Sequence, residues 1–152
     1  MNSTDPVSPD LKVEISQVGE WTLPLDLLRA GVKRVLTRAQ VPHGEISLTF
    51  LDDEGIQAMN REYLGKNRPT DVIAFALNDD DSPLLGDVYV GYDQAQRQAE
   101  EEGVPLQEEL LRLAIHGALH VLGYEHPEGE DRMRSEMFDL QEEILLETLS
   151  PG

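Results

Sequence analysis

Residues 106–126 read LQEELLRLAIHGALHVLGYEH. From Leu106 to Leu122 the pattern is helical, and apolar residues fall on almost every side of the helix. A helix that is hydrophobic all round has to be buried all round. This segment therefore predicts a central helix on which the rest of the chain packs. Gly123 follows it and can supply the left-handed residue that ends the helix.

Working outward, LKVEISQV alternates Leu11, Val13 and Ile15 with polar residues, the pattern of a half-buried strand. After Pro24 the period changes, and Leu28, Val32, Val35, Leu36 and Ala39 form one helical stripe. EISLTFL alternates again through Ile46, Leu48 and Phe50, and Asp52 or Asp53 caps a short helix expected to bury Ile56, Met59 and Tyr63. GKNRPTD reads as a loop. DVIAFAL is a short continuous apolar run suited to an interior strand. NDDDSP is a turn, and Gly86–Gly91 is a further strand. Tyr92–Glu102 is a helix closed by Gly103 and Pro105. A last acidic helix, about Glu130–Leu149, is expected to bury Met133, Met137, Leu140 and Ile144. The order βαβαββααα implies an α+β domain: a small mixed sheet of about four strands packed with helices, the central one carrying the histidines.

The chain has 152 residues, which points to one domain over residues 11–150 behind a disordered tail of residues 1–10. The start MNSTDPVSPD has neither a basic region nor an apolar stretch, so it does not read as a signal peptide. No apolar run approaches the roughly 20 residues that span a bilayer. The expectation is a soluble cytoplasmic protein with no membrane partner. With no cysteine, neither disulfides nor thiolate metal sites are available, and any metal must be held by histidine and carboxylate.

The net charge of −18 is unevenly spread. Residues 1–68 carry eight basic and ten acidic side chains, whereas residues 69–152 carry four and twenty. Seven of the twelve basic residues lie between Arg29 and Arg68. Charge alone favours an acidic surface that serves solubility. The sharper alternative is that one strip is kept clear for an anionic ligand, approached over the 61–68 loop and the basic face of the first long helix.

Three of the four histidines fall in HGALHVLGYEH, residues 116–126. His116 and His120 are four apart and so project from one face of the central helix. His126, beyond the glycine stop, can return toward the same point. Three converging imidazoles make an open metal site, and zinc held by three histidines keeps a fourth position for water. Imidazole suits Zn, Ni, Cu and Fe alike, so the metal's identity stays open. His43, between Pro42 and Gly44, reads as a surface loop residue.

The spacing H-x-x-x-H-x-x-G-x-x-H also matches the metzincin protease signature, in which the second residue is the glutamate that activates water. Here that position is Gly117, which cannot take a proton. HGALHVLGYEH resembles, more closely, the H-G-x-L-H-x-x-G-Y-D-H signature of the YbeY family of bacterial endoribonucleases, which act in ribosomal RNA maturation. NREYLGKNRPTDVIAF is similar to that family's segment from an asparagine through Tyr-Arg-Gly-Lys-Asp to Pro-Thr-Asp-Val-Leu-Ser-Phe, and LLGDVYV resembles its Gly-Asp strand. The likeness covers roughly residues 45–148 in the same order.

The resemblance implies that His116, His120 and His126 are ligands of one Zn2+ per chain. It implies a zinc-dependent endoribonuclease specific for single strands, acting in rRNA processing at the 16S 3′ end and in ribosome maturation. Its partners would be single-stranded RNA and the ribosomal subunit or ribosome-associated proteins. Glu125 for aspartate keeps the charge, while Ala74 stands for a serine and Asn67 for an aspartate. Leu64 takes the place of the family's arginine, a residue suited to gripping phosphate bidentately. Arg61, Lys66 and Arg68 lie nearby and are the RNA-binding candidates. No side chain is assigned as catalytic beyond a water on the metal, and either that water or the RNA 2′-hydroxyl can serve as nucleophile. A zinc hydrolase of metalloprotease type and a non-catalytic, ribosome-associated metal-binding protein are the alternatives.

Overall fold

The computed structural model describes residues 10–124 and 131–150, the side chains of 131–135 excepted. Its elements are β1 (Asp10–Gln17), α1 (Leu25–Arg38), β2 (His43–Leu51), α2 (Asp53–Leu64), β3 (Val72–Ala76), β4 (Leu84–Gly91), α3 (Tyr92–Glu102), α4 (Leu106–Val121) and α5 (Asp131–Leu149). This is the expected α+β order. Of the expected features, residues 1–9 of the tail, Glu125, His126 and the Met133 side chain lie outside the described residues. Asp10, assigned to the tail, instead opens β1 and donates its N–H to the Pro42 carbonyl at 2.9 Å. His43 is exposed as expected, but it begins β2 rather than sitting in a loop.

The sheet is mixed, with strand order β1-β2-β4-β3. β1 runs parallel to β2 (Val13 beside Ile46), β2 parallel to β4 (Leu48 beside Val88), and β3 antiparallel to β4 (Ala74 beside Val88). Parallel neighbours need a long crossover, and α1 provides the first of them. Alternation sends Val13, Ile46, Leu48, Phe50, Val88 and Val90 to one face of the sheet. α4 lies against β3 and β4 on that face and also touches α1, α3 and α5. It is the buried hub that its all-round hydrophobicity predicted. The opposite face has its own small cluster, in which Ile56 of α2 meets Leu51 and Ile73.

Two expectations are corrected. β3 is an edge strand, not an interior one. Its apolar run is continuous because both faces are covered: Val72 and Ala74 pack on the main core beneath α4, and Ile73 and Phe75 on the second cluster. Two-faced burial, rather than two-sided pairing, is what such a run reports. In α2, Tyr63 is 57% exposed, and the buried position one turn after Ile56 belongs to Asn60. Asp52 is the cap, accepting the Gly55 N–H at 2.8 Å.

Candidate metal centre and active-site cleft

α4 ends in a turn of the Schellman type. Gly123 has φ of 102° and donates to the His120 carbonyl at 2.9 Å, while the Tyr124 N–H reaches the Leu119 carbonyl at 3.1 Å. One turn of helix inside that stop, His116 and His120 stand side by side. Their ring centroids are 4.5 Å apart, with the planes at 81°. The two Nε2 atoms face each other at 2.9 Å. Two imidazoles on a tetrahedral zinc, with Zn–N bonds of about 2.0–2.1 Å, hold their nitrogens roughly 3.3 Å apart. The pair therefore needs only a few tenths of an ångström to accept an ion. His126, the third expected ligand, lies outside the described residues, and among those that are described no third ligating side chain joins the pair.

Gly117 explains how α4 is oriented. A Cβ at this position would lie 2.3 Å from Val88 Cγ1 and 3.0 Å from Val72 Cγ2. The helix is pressed onto β4 and β3 through this residue, which turns His116 about 100° around the axis, away from the sheet. A glutamate at 117, as a metzincin would have, would be driven into the apolar sheet contact. The protease form is thus excluded by packing as well as by chemistry.

His116 opens onto a cleft of about 280 Å³ whose wall includes Asp71, Gln98, Glu109, Arg112 and Gln141. Arg112, one turn before His116 on α4, donates to Glu108 at 3.0 Å, to Glu109 at 2.6 Å and to both oxygens of Glu142 on α5 at 2.9 and 3.2 Å. Burial would lower its pKa, but the hydrogen bonds to Glu142 and Glu109 outweigh this and raise it. Burial pushes the Glu109 carboxyl up against the opposing pull of Arg112. Glu142 feels the same burial, yet hydrogen bonds from Arg112 and Gln141 hold it below the ordinary carboxylate range. Gln141, only 5% exposed, donates Nε2–H to Glu142 at 3.1 Å and places Oε1 2.6 Å from His116 Nδ1.

A family model described as endoribonuclease YbeY matches residues 16–149. The chain belongs to the YbeY family. An endoribonuclease YbeY from Persephonella marina is 39% identical over 134 residues, covering 84% of this chain and 86% of that one. Another, from Bacillus licheniformis, is 42% identical over 139 residues, covering 81% and 86%. The solution structure of TM1509 from Thermotoga maritima aligns with a TM-score of 0.63 at 26% identity, over 90% of this chain and 88% of that one.

Within this YbeY chain, the tertiary structure separates the basic residues that the linear charge count had grouped. On α1, Arg34 and Arg38 pair with Glu147 at 3.8 and 3.1 Å, and Arg38 also pairs with Glu143. Arg29 is held by Asp26 at 3.8 Å and by the Val13 carbonyl at 3.4 Å. Of the four basic residues of the α1 face, Arg34 and Arg38 are thus engaged by α5 and Arg29 by Asp26 of its own helix, while Lys33 has no ion pair among the described residues. Arg61, Lys66 and Arg68 differ. All three are exposed, and none has an ion-pair partner among the described residues.

Their loop is nonetheless ordered by Asn60, whose Nδ2–H reaches the Arg68 carbonyl at 2.9 Å and whose carbonyl accepts the Lys66 N–H at 3.2 Å. Asn67 keeps a polar role, accepting from Gln57 Nε2 at 3.1 Å. Leu64 projects to solvent, 53% exposed. The loop runs directly into Asp71, on the cleft wall. Asp71, Arg112, Gln141 and Glu142 were not singled out from the sequence. Only Asp71 carried a signal, as the acid of the PTD triplet in a segment already matched to the family.

Proposed function

We propose that this chain is a metal-dependent endoribonuclease that cuts single-stranded RNA, with ribosomal RNA in maturation as its substrate class. In this reading His116, His120 and His126 hold one divalent transition metal, zinc first among them. The observation that carries it is the pair of imidazole Nε2 atoms, 2.9 Å apart, beside a cleft in a chain of the YbeY family. When bound, such an ion supplies Lewis acidity toward a phosphoryl oxygen and lowers the pKa of water to about 7.

The remaining work belongs to the chain's own residues. His116 and His120 present nitrogen donors from a rigid helix, so the site needs little rearrangement. Leu113 and Met137 give the cleft an apolar stretch of wall. Asp71 takes its hydrogen bonds from Gln98 at 3.4 Å and Thr70 at 3.5 Å, whereas Glu109 of the same cleft is committed to Arg112. Asp71 is thus the carboxylate able to receive a proton from an attacking hydroxyl. Arg61, Lys66 and Arg68 supply positive charge along the strand's approach.

The test measures metal content and the hydrolysis of RNA, casein and a generic ester side by side, with and without chelator. RNA alone should be cut, the chelator should stop it, and a His116→Ala/His120→Ala variant should lose its metal. Asp71→Asn should keep the metal and lower kcat. Metal retained at wild-type level in the double variant would sink the site. A metal-loaded chain that binds RNA without cutting it would favour the non-catalytic alternative.

A further inference from the structure

A neutral imidazole carries hydrogen on one nitrogen only. For His116 the two candidates face different partners: Nδ1 lies 2.6 Å from Gln141 Oε1, and Nε2 lies 2.9 Å from His120 Nε2. The choice between them is made one residue further out. The Glu142 carboxylate is gripped by Arg112 through Nε and Nη2, and it also accepts Nε2–H of Gln141. An ionised carboxylate has no hydrogen to give. The Gln141 amide must therefore turn its NH2 toward Glu142 and its carbonyl toward His116. A carbonyl only accepts, so His116 must donate from Nδ1, and its Nε2 is left with the lone pair. Rotating the amide by half a turn would set NH2 against Nδ1 and move the ring hydrogen to Nε2, where it would block a ligand.

We propose that Gln141 is a positioning residue for His116, and that Glu142, clamped by Arg112, fixes through it the imidazole tautomer that offers Nε2 to a divalent transition metal. The proposal rests on the metal reading above and adds to it how the first ligand is prepared. Arg112 and His116 stand one turn apart on α4, and Gln141 and Glu142 are adjacent on α5. The four side chains thus close a ring across one helix pair. The same logic assigns the hydrogen between the two facing nitrogens to His120. Loading an ion then requires His120 to change tautomer, its hydrogen leaving Nε2 and one being taken up at Nδ1, while His116 stays as it is.

The experiment has two readouts on the full-length chain. Long-range 1H–15N spectra of the metal-free protein report the His116 tautomer, and zinc titration reports affinity. Wild type should show hydrogen on Nδ1. Glu142→Gln, whose new amide can either donate or accept, should show both tautomers. Gln141→Leu should weaken zinc binding by about 10- to 100-fold, the range for an outer partner of a metal-bound histidine. Glu143→Gln, which alters the same charge one residue along on a side chain paired with Arg38, should leave both readouts unchanged. Hydrogen on Nε2 in the wild type, or wild-type zinc affinity in both Gln141→Leu and Glu142→Gln, would overturn the proposal. Failure of the wild-type chain to bind zinc would overturn the metal reading instead, with the tautomer spectra still deciding whether the network orients His116.

Discussion

Replacing Gly117 by alanine tests whether α4 is held against the sheet as tightly as its side-chain distances say. On helix propensity alone the substitution should stabilise by about 1 kcal/mol. The new Cβ, however, would stand 2.3 Å from Val88 Cγ1 and 3.0 Å from Val72 Cγ2. Val88 sits on β4, which is laddered on both sides by β2 and β3, so neither the strand nor its branched side chain can recede easily. Overpacking of this kind costs about 1–3 kcal/mol, and so short an approach belongs at the upper end. The expected net loss is about 2 kcal/mol, or roughly 4–8 °C in Tm for a chain of this size. Val88→Ala removes the closest methyl, leaving Val72 Cγ2 at 3.0 Å, and on its own should also destabilise by about 2 kcal/mol. The double variant should be less destabilised than the sum of the two by about 1–2 kcal/mol, because the shortest contact, at 2.3 Å, is gone. Urea denaturation of all four proteins closes the cycle. A Gly117→Ala protein as stable as wild type, or strict additivity, would show that α4 rises freely from the sheet and would refute the packing argument for Gly117.

Two further predictions concern charge. Arg61→Glu with Arg68→Glu should weaken RNA binding and flatten the plot of log affinity against log salt by about 0.7 for each phosphate of a single strand that is no longer neutralised. Arg34→Gln with Arg38→Gln should instead keep RNA affinity and reduce stability, by about 0.2–1 kcal/mol for each exposed ion pair; equally weakened RNA binding in both double variants would mean that binding is diffuse attraction. The Arg112 cluster should also shape the acid limb of unfolding. The folded pKa of Glu142 is depressed, so its contribution is present above the unfolded carboxylate value and disappears as pH falls through the folded one. Glu109, raised by burial, acts in the opposite sense, its contribution shrinking as pH rises from the unfolded value through the folded one. Stability measured against pH should therefore show a shallower acid loss in Glu142→Gln than in wild type, and an unchanged slope would count against that carboxylate.

What the sequence determined by itself is what depends on neighbours along the chain. Period-2 and period-3.6 patterns marked β1, β2 and α1, a continuous apolar run marked β3, all-round hydrophobicity marked α4 as the hub, and Gly123 marked its stop. The i, i+4 spacing was enough to bring His116 and His120 together, because a helix converts sequence distance into spatial distance with no further information. Tertiary structure decided everything that depends on which distant segments meet. The apolar run of β3 reports burial on two faces but not its place at the sheet edge. In α2 the period could not distinguish a rim position, Tyr63, from the inward one, where a buried asparagine serves the loop's backbone. The basic stripe of α1 looked available until α5 brought Glu143 and Glu147, more than a hundred residues away, against Arg34 and Arg38. The ring of Arg112, Glu142, Gln141 and His116 is likewise invisible in one dimension. Its hydrogen bonds join two helices, and partners along a hydrogen bond are chosen by the path of the backbone rather than by any local pattern.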